Sequence, residues 1–245
     1  MLDIRSVAIF SDNYIYLLHD PDTGETAVVD PGQATPALEA ARAEGWRISH
    51  ILLTHGHRDH TGGVTEIVRL TGASVHGYRT GLRGGECLAI GRAQAQVLAT
   101  PGHTQDHLAF WFAKGAALFC GDALFSLGCG RIFVGTPAQF WASMQALRAL
   151  PDETRVYCAH EYTLENLGFA RFVDPDNPAL GKREREAMEM LARTGSSLPS
   201  SLGMEKAANP FLRADDPRMG ARLGLTGADP ARVFAELRAQ RDEFE

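Results

Sequence analysis

The sequence predicts an α/β body followed by a smaller helical appendage, and three observations carry that expectation. Short β-type runs, most bounded by Gly, Pro, Asp or Asn, fill the first two-thirds of the chain. Helical stretches interrupt those runs. After about residue 163 the pattern changes, and helical stretches follow with no convincing strand among them. A length of 245 residues, 44% of them apolar, suits one large domain or one domain with an appendage.

In chain order, the strand candidates are residues 7–9, 14–18, 26–29, 51–53, 97–99, 108–112, 116–119 and 156–158. Each is rich in β-branched, aromatic or aliphatic side chains, and the run at 51–53 looks buried. Helices are expected over 36–44 and 63–70. Another opens at Thr136-Pro137, with threonine as N-cap and proline at the first helical position, and runs to about residue 150. The tail offers 164–172, 182–193 and 230–240.

Composition narrows the function. With 30 acidic and 24 basic residues, the formal charge of −6 argues against a general nucleic-acid binder, which would show a basic stripe. No apolar stretch approaches the roughly 20 residues that span a bilayer, and the N-terminus lacks the basic-then-apolar pattern of a signal peptide. Cys87, Cys120, Cys129 and Cys158 show no CxxC spacing and read as free thiols of a reducing compartment. A cytoplasmic enzyme that uses neither nucleic acid nor membrane, and works as a monomer, is the expectation.

The sharpest local signal is Thr54-His55-Gly56-His57-Arg58-Asp59-His60, directly after the buried-looking run at 51–53. Three imidazoles and a carboxylate so close together are rarely needed for packing. In an extended chain His55 and His57 point the same way, while Asp59 and His60 on the following turn face a second point. Three further residues sit just past strand candidates: His103 after Pro101-Gly102, Asp122 after Gly121, and His160 after Ala159. Each alone reads as a structural residue; the conjunction reads as a site. Five histidines, two aspartates and no cysteine suit zinc, iron or manganese. Seven donors exceed what one tetrahedral ion needs, so one bridging carboxylate and two neighbouring ions are expected. Asp30 either orients a ligand imidazole or caps its turn. His107 is a candidate partner near His103, and His19, His50 and His76 have no evident partner.

The run His55 to His60, with His103, Asp122 and His160, resembles the H-x-H-x-D-H signature of the metallo-β-lactamase superfamily. Ser11-Asp12-Asn13-Tyr14, Gly128-Cys129-Gly130-Arg131, Ala159-His160-Glu161-Tyr162, Asn209-Pro210-Phe211 and the ending around Arg238-Ala239-Gln240-Arg241 look most like the glyoxalase II, or hydroxyacylglutathione hydrolase, family. The resemblance implies an αββα sandwich over residues 1–162 and a helical glutathione-binding domain over 163–245. It implies two divalent ions, zinc first, with iron or manganese also suited: His55, His57 and His103 on one, Asp59, His60 and His160 on the other, Asp122 bridging. It places Arg131, Tyr162, Arg238 and Arg241 on glutathione. Phe133 stands where the family commonly has a glutathione-binding tyrosine, and Gly56 where a histidine is common.

The implied reaction is hydrolysis of S-D-lactoylglutathione to D-lactate and glutathione, a step of methylglyoxal degradation, by a hydroxide shared between the metals. Asp59 and Asp122 are the carboxylates of that chemistry. A thiolate leaves readily, since thiol pKa values lie near 8.5, so no protein general acid is required. The alternative on the same scaffold is a persulfide dioxygenase with one iron held by two histidines and an aspartate. A nuclease would need a basic groove that the composition does not supply.

Overall fold

A computed structural model describes residues 2–244, and its contacts divide the chain into two compact units. The first takes the chain up to Ala99 together with Asp106–Gly121; the second takes Thr100–Gln105 and everything from Asp122 onward.

In the first unit, β1 (Asp3–Ile9), β2 (Asn13–His19), β3 (Thr26–Val29), α1 (Ala34–Ala43), β4 (Ile48–Leu52), α2 (Arg58–Thr61), α3 (Val64–Thr71) and β5 (Ser74–His76) follow one another. The five strands form one sheet in the order β1-β2-β3-β4-β5, antiparallel at first and parallel from β3 onward. Parallel pairing requires a crossover, and α1 and α3 supply it. Ala34, Ala37 and Ala41 of α1 and Ile67 of α3 pack with Ile15, Leu17, Val28 and Ile51 of the sheet in one buried cluster. Four more strands, β6 (Cys87–Ile90), β7 (Ala93–Ala99), β8 (Leu108–Phe112) and β9 (Ala117–Gly121), form an antiparallel meander. Phe119 of β9 meets Tyr16 of β2 at 5.5 Å between ring centroids, which puts the two sheets face to face. Strands covered on both sides lose the polar alternation that an exposed face would impose, which is why six of the seven β2 residues are buried.

The second unit holds β10 (Leu124–Phe125), β11 (Gly128–Cys129), α4 (Pro137–Arg148), β12 (Arg155–Cys158), α5 (Thr163–Val173), α6 (Pro178–Thr194), β13 (Ser200–Ser201), α7 (Leu202–Ala208), α8 (Pro217–Arg222) and α9 (Pro230–Glu243). The expected cap at Thr136 is a full capping box. Thr136 Oγ1 accepts from the Gln139 amide at 3.2 Å, and Gln139 Oε1 accepts from the Thr136 amide at 3.0 Å. Such caps are worth about 1 kcal/mol. An aromatic chain forms the core, with Phe234 of α9 at 5.5 Å from Phe140 of α4 and 5.8 Å from Phe211.

The tail is not wholly helical, contrary to expectation. Ser200 and Ser201 pair with Val156 and Arg155 as β13, a bridge too short to show any alternation. Strands β5 and β6 were also illegible, being three and four residues long.

Candidate metal centre

In the first unit, β4 ends at Leu52, the chain bends at Thr54, and His57 is extended, with φ and ψ of −65° and 150°, before α2 begins. That local geometry sets His55 and His57 side by side, Nε2 of the first 3.0 Å from Nδ1 of the second. Nitrogen lone pairs so close repel unless a proton or cation lies with them. The turn of α2 then presents Asp59 and His60 together, with His60 Nε2 3.3 Å from Asp59 Oδ2.

Orientation comes from Asp30. Its backbone is left-handed, with φ of 48°, and its carboxylate is buried at the end of β3. Oδ1 accepts from the Thr54 amide at 2.8 Å, and Oδ2 accepts from the Thr54 hydroxyl at 2.6 Å. Oδ2 also lies 3.1 Å from His60 Nδ1. Asp30 therefore does both things the sequence left open: it orients an imidazole and it braces the turn. With Nδ1–H committed to Asp30, His60 keeps the Nε2 lone pair for a ligand. Asn13 donates to Asp59 Oδ2 at 3.0 Å. His107 stacks against His55, ring centroids 5.0 Å apart.

In the second unit, His103 Nδ1 donates to the Arg131 carbonyl at 3.0 Å, which leaves its Nε2 3.4 Å from Asp122 Oδ2. His160 Nε2 lies 3.4 Å from the other oxygen, Asp122 Oδ1. One carboxylate thus divides its two oxygens between two imidazoles, all three side chains being buried. Backbone makes this possible. Gly121 takes φ of 48° at the end of β9, and a Cβ on Gly130 would collide with the Asp122 carbonyl oxygen and stand 2.9 Å from His103 Nδ1.

Phe133 meets His103 edge-on at 5.1 Å, and Tyr162 stacks on His160 at 4.8 Å, so both aromatic positions flank donors. The basic residues differ among themselves. The Arg131 side chain is exposed, with Nε 3.6 Å from Asp242 Oδ1. Arg241 is half-buried, within 3.4 Å of Asn166 Oδ1, and burial followed by the neighbouring Arg238 charge lowers its pKa. Arg238 is buried: Nη1 donates to the Cys129 carbonyl at 2.9 Å and Nη2 to Asp242 at 3.0 Å. Arg238 and Arg241 were expected to act alike from one helix face, and the difference in burial separates them. Thr54, Asn13 and Asp242 were given no role from the sequence, although each stands inside or beside a motif quoted there.

The histidines left without partners have them. His50 Nδ1 lies 3.1 Å from His76 Nε2, and its Nε2 lies 2.9 Å from Glu25. His19 stacks on Trp46 at 4.5 Å.

Comparison with known proteins divides the chain at residue 160 rather than between the two compact units. Residues 9–85 and 77–160 match the metallo-beta-lactamase superfamily, and residues 161–244 match the hydroxyacylglutathione hydrolase C-terminus. The chain is 49% identical to a hydroxyacylglutathione hydrolase of Methylococcus capsulatus, over 100% of this chain and 99% of that one. It is likewise 49% identical to one from Rhodospirillum rubrum, over 99% of each. Among solved structures, ETHE1 from Myxococcus xanthus superposes with a TM-score of 0.67 at 27% identity, covering 99% of this chain and 100% of that one. TTHA1623 in a di-iron-bound form gives 0.61 at 25% identity, covering 85% and 99%.

Proposed function

The chain belongs to the hydroxyacylglutathione hydrolase family of the metallo-β-lactamase superfamily, and from that premise we propose that it hydrolyses S-2-hydroxyacylglutathione thioesters. S-D-lactoylglutathione is the foremost substrate, giving D-lactate and glutathione in methylglyoxal degradation. The observation that carries the reading is Asp122, whose two carboxylate oxygens each face a different imidazole. A carboxylate so disposed suits a bridge between two ions.

We assign His55, His57, His103 and Asp122 to one ion and Asp59, His60 and His160 to the other, with Asp122 reaching both. Nitrogen and oxygen donors without thiolate fit zinc, with iron next, as in the di-iron relative. Bound there, such ions supply Lewis acidity and water activated at neutral pH. The chain's own residues do the rest. Asp30 and the Arg131 carbonyl fix the tautomers of His60 and His103. Asn13 holds Asp59 in place through a hydrogen bond to Oδ2. Arg131, Arg241 and Tyr162 receive glutathione, Phe133 offers it a ring face and no hydroxyl, and Arg238 acts from beneath through Cys129 and Asp242. Residues 1–162 then carry the chemistry together with part of the glutathione site, and 163–245 complete that site. We place the enzyme in the cytoplasm as a monomer; no helix among the described residues is long and apolar enough to cross a membrane.

Metal content and S-D-lactoylglutathione hydrolysis measured on one sample test this. About two ions per chain with thioester turnover is the expected result. One iron per chain, with oxygen consumed on glutathione persulfide and no thioester hydrolysis, would favour the dioxygenase, which has no use for the second donor group.

A further inference from the structure

A recess in the first unit has no part in the reaction described so far. It encloses about 250 Å³ and is lined by His55, Gly56, Thr61, Tyr78, Arg79 and Asp106, among others. Its floor depends on Gly56. A Cβ built at that position would lie 2.9 Å from Arg79 Nη2 and 3.1 Å from Cζ, so the missing side chain leaves room for the guanidinium of Arg79, which is exposed at the mouth of the recess. Arg79 rides on a 3-10 turn, Tyr78–Thr80, that is well held. Thr80 Oγ1 accepts from the Gly77 amide at 2.9 Å and donates to the Gly77 carbonyl at 3.0 Å. Arg83 lies 4.1 Å over the Tyr78 ring and donates to the carbonyl oxygens of Tyr78 and Leu82.

Arg83 is therefore committed to its own loop, while Arg79 is not. Among the described residues no carboxylate or carbonyl oxygen pairs with the Arg79 guanidinium, Asp106 included. A planar guanidinium with free N–H groups in a recess is a receptor for a carboxylate, which it can grip through two parallel hydrogen bonds. The recess volume suits a short chain rather than a peptide.

We propose that this recess takes a carboxylate carried on the acyl group of the thioester, so that Arg79 extends acyl specificity to dicarboxylic acyl groups. The inference rests on the hydrolase reading above. His55, one of the donors assigned above, lines this recess, and none of the assigned glutathione contacts does. The group that reaches Arg79 is thus the acyl group on the reacting carbonyl. Arg79 lies outside the assigned metal donors and glutathione contacts, so its loss spares a neutral acyl substrate.

The test compares S-D-lactoylglutathione with S-succinylglutathione on the metal-loaded wild type, Arg79→Ala and Arg79→Lys. Expected is hydrolysis of both thioesters by the wild type. Arg79→Ala then lowers kcat/KM for the succinyl thioester by roughly tenfold to a hundredfold, the range of a lost charge-assisted hydrogen bond, and leaves the lactoyl thioester within about twofold. Arg79→Lys recovers part of the loss by restoring charge without the fork. Equal falls on both substrates, or no change on the succinyl thioester, would overturn the inference. So would a wild type that hydrolyses only the lactoyl thioester, with the hydrolase reading intact. A wild type that hydrolyses neither overturns that reading, and the recess assignment with it.

Discussion

The first unit gathers its donors within six consecutive residues, His55 to His60, whereas the second draws His103, Asp122 and His160 from three separate loops. The two also orient their imidazoles differently. In the first, a side-chain carboxylate, Asp30, holds His60; in the second, a main-chain carbonyl, that of Arg131, holds His103. A side chain can be deleted by substitution, while a carbonyl can only be displaced. The first half is therefore open to damage at the partner residue, and the second at whatever sets the backbone path.

Five substitutions probe that contrast. Asp122→Ala has the largest expected effect: it removes the shared carboxylate, so turnover falls to background and metal content drops, read by elemental analysis beside the thioester assay. Retention of two ions with normal turnover would remove the bridging role. Asp59→Ala costs orders of magnitude in rate and leaves about one ion per chain. Full activity with a single ion would instead support the mononuclear alternative.

Smaller effects separate the two means of orientation. Gly130→Ala forces the loop away from Asp122 and His103, for about 1–3 kcal/mol in stability and a weakened ion at His103. Arg131→Ala, by contrast, leaves the carbonyl in place, so it spares metal content and raises KM only. Asp30→Asn loses the charge facing His60 and Thr54, for roughly 10–100-fold in metal affinity or activity. Equal metal loss in Arg131→Ala and Asp30→Asn would erase the distinction between side-chain and main-chain orientation.

The smallest effect lies on α9. Arg241→Ala raises KM for the glutathione thioester by roughly tenfold at unchanged kcat, because a contact remote from the carbonyl stabilises ground and transition states alike. Arg238→Ala instead lowers the melting temperature, since it leaves the buried Cys129 carbonyl without its donor, for about 1–3 kcal/mol. Thermal denaturation and steady-state kinetics on the two variants distinguish them.

The same contrast explains what could be read in advance. Residues 55–60 announce themselves because their spacing and their chemistry coincide in one stretch. His103, Asp122 and His160 are legible only as a conjunction of strand ends, and their joint attachment to one carboxylate is a fact of tertiary packing. Helices with a clear start, such as α4 behind its Thr136 cap, were readable to within a few residues. Strands β5, β6 and β13 were not, because they are short and largely unburied, whereas the equally short β3 and β12 are runs of buried residues. The burial of Arg238 against the exposure of Arg131 has no local signature either, since charge is written in the sequence and its surroundings are not.

Within the second unit, Glu205 accepts from the Ser126 hydroxyl at 2.9 Å and the Leu127 amide at 2.7 Å, and Arg183 donates to the same Ser126 hydroxyl at 3.0 Å. Both charged side chains are almost wholly buried. Removing the tail would strip two charged side chains and several hydrogen bonds from the loop that leads from Asp122 to Arg131 and bare Leu127 to water. The tail is thus no cassette that could be cut away to leave a simpler, less choosy hydrolase. A chain shortened at residue 162 should lose its ability to retain metal along with its preference for glutathione, and a tail grafted from a distant relative must bring its own counterparts of Arg183 and Glu205. Specificity and catalysis in this chain are inherited together.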